Sequence, residues 1–178
     1  MKKIIKYVKI AGVIIFLYLL VFPLSIKIDR TVEAVEIALD DKGYLEPVNV
    51  IITGKYNWKM LGKDTFNGNI KFDKFQLTMK EKLKQGKDLP TLTFDKERTA
   101  HLDYGQWMDS IFFGFISTKA FFNKFVVQVA IPDGAMGGGW SEIDGKCIVA
   151  PATNREDALG VLRKFSNRLL PPYEHWIE

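Results

Sequence analysis

Only one pair of side chains in the chain has the chemistry for covalent catalysis. Cys147 is the sole cysteine, and His101 is one of two histidines, with His175 far along the chain. A cysteine nucleophile needs a base to form its thiolate and a donor to steady the developing oxyanion. His101 is the candidate base, and Arg155, eight residues past the cysteine, is the candidate donor. The competing reading is structural. Cys147 runs into Ile148 and Val149, where a free thiol packs as a small hydrophobe, and His101 falls on the polar side of "RTAHLDYG". A single cysteine also excludes an intramolecular disulfide.

The order His101, Cys147, Arg155, behind an N-terminal apolar segment and among β-type sequence, resembles the sortases. That resemblance implies a membrane-anchored cysteine transpeptidase on a β-barrel, with those three residues as base, nucleophile and oxyanion donor. The family carries its cysteine at a strand end after a Thr-Leu-x-Thr pattern. Here the preceding residues are "EIDGK", so the thiol follows a turn and starts a strand.

Other chemistries fare worse. The run "GAMGGGW" does not lead into a helix or a Lys-Ser/Thr pair, so it lacks the amides and dipole that cradle phosphate. It reads instead as a loop carrying Met136 and Trp140, a candidate flap over a groove, unless Trp140 tucks into the core. Tyr104 and Trp107, near a strand end, are candidate stacking residues for a ligand. Glycosidases use two carboxylates, and Asp95/Glu97 and Asp103/Asp109 are pairs of that kind, yet acids at period two on a strand usually form its solvated face. Two distant histidines and one cysteine cannot build a zinc site, and no cofactor is expected.

Elements must position these residues, and the dominant period is two. "TVEAVEIAL", "EPVNVIITGKYNWKML", "TFNGNIKF", "LPTLTFD" and "RTAHLDYG" read as strands, with the second broken at Gly54. "IFFGFIST" and "FVVQVAI" are apolar on both faces, as in covered strands or a surface that meets lipid or a partner. At the end, Thr153 and Glu156 form a capping box, and Ala158, Leu162, Phe165 and Leu169 make one apolar helical stripe. The expected fold class is α+β, mainly antiparallel β, a sandwich or open barrel with one C-terminal amphipathic helix.

Residues 10–26 contain no charge and follow Lys2, Lys3, Lys6 and Lys9, which predicts an N-terminal transmembrane helix. No small-residue cleavage site follows it directly, so a retained anchor is expected, with the lysine-rich N-terminus in the cytoplasm and the rest outside. Residues 1–30 hold six basic groups against one acid, leaving 19 basic and 20 acidic groups beyond. The near-neutral remainder lacks the clustered basic surface that nucleic-acid binding needs. The expected organisation is flank and anchor 1–30, extracytoplasmic β domain 31–170 and tail 171–178. The expected function is binding or envelope assembly with a protein or lipid partner. The alternatives are the cysteine transpeptidase and a lipid or small-ligand module with a Gly-rich flap.

Overall fold

The computed structural model describes residues 2–79, 89–105, 110–130, 139–141 and 144–165. Eight strands make one antiparallel sheet: β1 Leu24–Ala38, β2 Leu45–Trp58, β3 Thr65–Phe72, β4 Leu92–Thr93, β5 Thr99–Tyr104, β6 Ile111–Thr118, β7 Phe125–Val129 and β8 Lys146–Ala150. Their spatial order is β4-β3-β2-β1-β8-β7-β6-β5. Each strand thus pairs with its chain neighbour, and β8 returns to β1. The two end strands, β4 and β5, are joined by a tight turn in which Asp95 N donates to Thr99 O at 2.9 Å. The sheet therefore curls into a nearly closed, up-and-down barrel, the architecture that leaves the fewest free edges.

Alternation along the strands sorts two cores. One face of each strand fills the barrel: Ile52, Tyr56, Phe66, Ile70, Phe72, Leu102, Phe113, Phe122, Phe125 and Ile148 are all buried within it. Aromatic rings dominate this interior, with Phe72 stacked on Phe113 at 5.0 Å and Phe66 edge-on to Phe122 at 5.0 Å. Phe113 is an extra residue inserted by a bulge between β5 and β6, where Leu102 faces Gly114 but Asp103 faces Phe112. The opposite face of β1, β7 and β8 carries Val35, Ile37, Val126, Cys147 and Val149, and the C-terminal helix covers it.

Several expectations shift. β2 runs unbroken through Gly54, which lies directly opposite Gly68 in β3. A Cβ on Gly54 would sit 2.4 Å from Asn67 O, so the glycine serves close strand approach rather than a break. After β3 the chain turns at Phe75 into a short helix, α2 Gln76–Met79, which carries Leu77. There the Thr78 hydroxyl caps β3 by accepting from Phe72 N at 2.8 Å.

The C-terminal helix, α3, spans Arg155–Leu162. Its cap is not the Thr153/Glu156 box but the same pattern one residue on. Asn154 is extended, and its Oδ1 accepts from Asp157 N at 2.9 Å. Asparagine is as good an N-cap as threonine or better, and Asp157 then occupies the third helical position, where an acid is favourable. Ala158, Val161, Leu162 and Phe165 are buried as the stripe required; Leu169 and the tail 171–178 lie outside the described residues.

The N-terminal helix, α1, spans Lys2–Val21. Its apolar side chains at Ile4, Ile5, Val8, Val13 and Ile14 are all exposed. The charge-free run of residues 10–26 is not all helix, because it passes into β1 at Leu24. The barrel thus begins inside the segment assigned to the anchor. Among the described residues no helix is long and apolar enough to cross a membrane.

Candidate functional site

The chain of paired residues across the sheet fixes where the candidate catalytic groups stand. His101 pairs with Phe115, Phe115 with Gln128, and Gln128 with Cys147. The two residues share one row on the outer wall, three strands apart, which at about 4.8 Å per strand is roughly 14 Å. A base must come within hydrogen-bond reach of its nucleophile, directly or through one water. The barrel does not bring this pair together.

Each member is also engaged elsewhere. Cys147 is 1% exposed, beneath α3 and Trp140. Burial pushes its thiol up to about 12, against a hydrogen bond from Trp140 that acts the other way. Arg155 donates to the carbonyls of Asp41, Ala38 and Tyr44 at 3.1, 3.2 and 3.3 Å, tying α3 to the β1–β2 turn. His101 is exposed, edge-on to Phe115 at 4.7 Å and tilted against Phe112 at 5.7 Å.

Of the candidate ligand-contacting residues, Trp140 and Tyr104 are described, and each is held by its own contacts. Trp140 is half-buried, and its indole N–H donates to Lys146 O at 3.2 Å. It seals the outer core over Cys147, so it is pinned rather than swinging. Gly145 makes room for it, since a Cβ there would meet the Trp140 ring nitrogen at 2.5 Å. Tyr104 is buried, and its hydroxyl donates to Ile70 O at 2.7 Å. That bond crosses from β5 to β3 where the two-residue β4 leaves the barrel seam unfilled, and burial holds the phenol above its ordinary range. Tyr104 is a latch, not a stacking platform. Met136 and Trp107 lie outside the described residues.

Two further features stand out in the geometry, and the first has no counterpart in the sequence reading. One is a polar cluster at the barrel end where β1 turns into β2. Glu36 faces inward, paired with the interior residue Ile148, and is only 2% exposed. Lys74 bonds its carboxylate, and the Tyr44 hydroxyl donates to it at 3.1 Å. Lys74 also pairs with Glu46 at 2.5 Å. Burial alone would lower the Lys74 ammonium, but its bonds to Glu36, Glu46 and Tyr44 outweigh that and raise it. The cluster satisfies itself: it is a clamp joining β1, β2 and the segment after β3.

The other feature is an aromatic patch on the outer wall of β5 and β6. Phe112 and Phe115 are half-exposed, 5.0 Å apart and edge-on, with His101 beside both. α3 packs over β8, β1 and β7, and among the described residues it makes no comparable contact with this sector. Alternation alone puts Phe112 and Phe115 on opposite faces of the strand; the bulge at Phe113 is what brings both rings to the outer wall beside His101.

Among the described residues no group of three His, Cys, Asp or Glu is placed to hold a metal ion. The acid Asp95 is spent on its own turn, where its Oδ1 accepts from Thr99 N at 2.7 Å. Comparison with known proteins finds no matching family model, no matching curated protein and no matching solved structure.

Proposed function

We propose that the chain is a membrane-anchored binding or assembly module, with α1 in the bilayer, the lysine-rich N-terminus in the cytoplasm and the barrel on the outer side. Its partner is a protein of the same envelope, bound along the outer wall of β5 and β6. The observation that carries this reading is the half-exposed patch of Phe112, Phe115 and His101, beside the sector that α3 protects. Aromatic side chains left half-exposed in this way are favoured contacts at protein interfaces, because they bury much area at little entropic cost.

The anchor reading is supported by the exposed apolar surface of α1 and by Lys6 and Lys9, three residues apart near its start. Lysines of that kind extend toward headgroups while their stems stay in the apolar phase. The separation of Cys147 from His101 argues against the transpeptidase. The aromatic filling of the barrel argues against a ligand housed in its interior.

A photo-crosslinking residue in place of His101 (His101→benzoyl-Phe), in the membrane-embedded chain, tests the proposal. A discrete adduct should form there, should be absent when the same residue replaces Lys55 on the far wall, and should vanish with Phe112→Ser and Phe115→Ser. No adduct at 101, or one indifferent to the two phenylalanines, removes this surface as the binding site.

A further inference from the structure

The barrel end at which β1 begins has a character of its own. Leu24 pairs with Trp58, so the β2–β3 turn, residues 59–64, stands beside the point where the chain passes from α1 into the barrel. At the tip of that turn Met60 and Leu61 are 41% and 68% exposed. Lys59 and Lys63 flank them, and Gly62, at φ 117, lets the chain reverse.

The one acid in the turn points away from this tip. Asp64 is buried; its Oδ1 accepts from Lys59 N at 2.9 Å and its Oδ2 from the Tyr56 hydroxyl at 2.9 Å. Its Oδ2 also stands 4.0 Å from Arg98 Nε, so Asp64 is engaged below the tip, and among the described residues it makes no ion pair with Lys59 or Lys63. Elsewhere on the same end, the β6–β7 turn and the end of α3 bring Lys119, Lys124 and Lys164 together. Contact with Lys164 lowers the Lys124 ammonium, the signature of crowded like charges. The β4–β5 turn on this end balances Asp95 and Glu97 with Lys96 and Arg98, and the hairpin turn at the opposite end of β1 and β2 carries Asp40 and Asp41 beside Lys42.

The length of α1 completes the argument. Its lysine-free part, residues 10–21, rises about 18 Å, whereas a bilayer core is roughly 30 Å thick. Lys6 and Lys9 can recover part of the difference on the cytoplasmic side by reaching outward. On the barrel side the remaining apolar surface is that of Phe22, Leu24, Met60 and Leu61, all exposed.

We infer that this end of the barrel docks on the bilayer that holds α1, with Met60 and Leu61 inserted at the interface and the surrounding lysines against anionic headgroups. The inference rests on the anchor reading. It adds that the barrel is held against the membrane rather than dangling from a tether, so that the Glu36–Lys74 end faces away from the lipid. A shallow apolar tip ringed by lysines is the combination that binds anionic interfaces, and each lysine near such a surface contributes about fivefold in occupancy.

The test uses the full chain with Cys147→Ala, in vesicles of phosphatidylcholine alone or with phosphatidylglycerol. An environment-sensitive fluorophore is attached at Leu61→Cys or, as control, at Asp41→Cys. With phosphatidylglycerol the label at 61 should be quenched by lipid-borne nitroxide and shielded from aqueous iodide, while the label at 41 is neither. Lys59→Gln with Lys63→Gln should weaken that docking about 25-fold, on the same per-lysine figure. If the chain floats with both kinds of vesicle but position 61 stays as open to iodide as position 41, the docking is refuted and the anchor stands. If it floats with neither, the anchor itself fails and docking falls with it. Shielding of position 61 in lipid-free detergent, with a doubled protein mass, would replace the bilayer by a second copy and overturn the inference.

Discussion

The reactivity of Cys147 decides between a chemical and a structural role. The thiol is 1% exposed, and burial pushes it up to about 12, opposed by the Trp140 hydrogen bond and aided by the charge of Glu36. At pH 8 a free thiol, ordinarily near 8.5, is about one-quarter thiolate, whereas one near 12 is about one part in ten thousand. Ionisation alone therefore slows labelling about a thousandfold relative to the denatured chain, and lack of access slows it further. A chromogenic disulfide reagent, added to the full chain in nanodiscs and then in guanidinium, measures both rates. His101→Ala should leave the native rate unchanged, because His101 is three strands away. The same shift has a stability consequence. A folded-state value above the unfolded one contributes stability that is complete below about pH 8.5. It is lost at up to about 1.4 kcal/mol per pH unit as pH climbs toward 12. Cys147→Ala should remove that slope. Native labelling within tenfold of the denatured rate, slowed by His101→Ala, would refute the reasoning and restore the thiolate pair.

Two further expectations follow from the barrel. Lys74→Met strands the buried carboxylate of Glu36 and should cost about 3–5 kcal/mol in chemical denaturation of the full chain. Adding Glu36→Gln should recover most of it; a single-variant loss under about 1 kcal/mol would mean the pair behaves as a surface contact. Gly114→Ala, whose Cβ would lie 1.9 Å from Gln128 O, should cost at least about 3 kcal/mol, because backbone rather than a flexible side chain must move. Gly160→Ala on α3, where nothing lies within 4 Å of the added carbon, should instead stabilise by about 0.5–1 kcal/mol. Equal effects at the two glycines would show that the β6–β7 approach is looser than described.

The strands were legible because one face of each is covered. Period-two alternation sets Val35 and Ile37 against Glu36 without any knowledge of partners, but which set fills the barrel depends on the sheet's closure. Val35 and Ile37 lie outward under α3, and Glu36 points inward. The apolar stripe of α3 was legible for the same reason, one helical face on one wall. Where two signals competed locally, the reading slipped by a residue or an element. Thr153 and Asn154 both suit a cap, and the backbone chose the latter. Gly54 reads as a breaker in isolation, and only Gly68 opposite it shows that two backbones meet there. The charge-free stretch of residues 10–26 carried both helix and strand, since apolar content marks burial or lipid without fixing period.

The candidate site was illegible for a deeper reason. Separation between side chains on a barrel depends on strand order, a non-local property that composition and spacing do not encode. Cys147 and His101 even share a row and a face, so every local criterion favours their meeting; β7 and β6 standing between them is what keeps them apart. The same topology does the reverse for Glu36 and Lys74, which no motif links and which meet because β1, β2 and β3 are neighbours. It also carries Leu61 to the side of Leu24, beside the emerging α1. The interactions that matter most in this chain are set by which strand lies next to which. They test the fold and the proposed membrane contact together: a variant that disturbs β2–β3 pairing, such as one at Gly68, should release Met60 and Leu61 from the interface as it loosens the barrel.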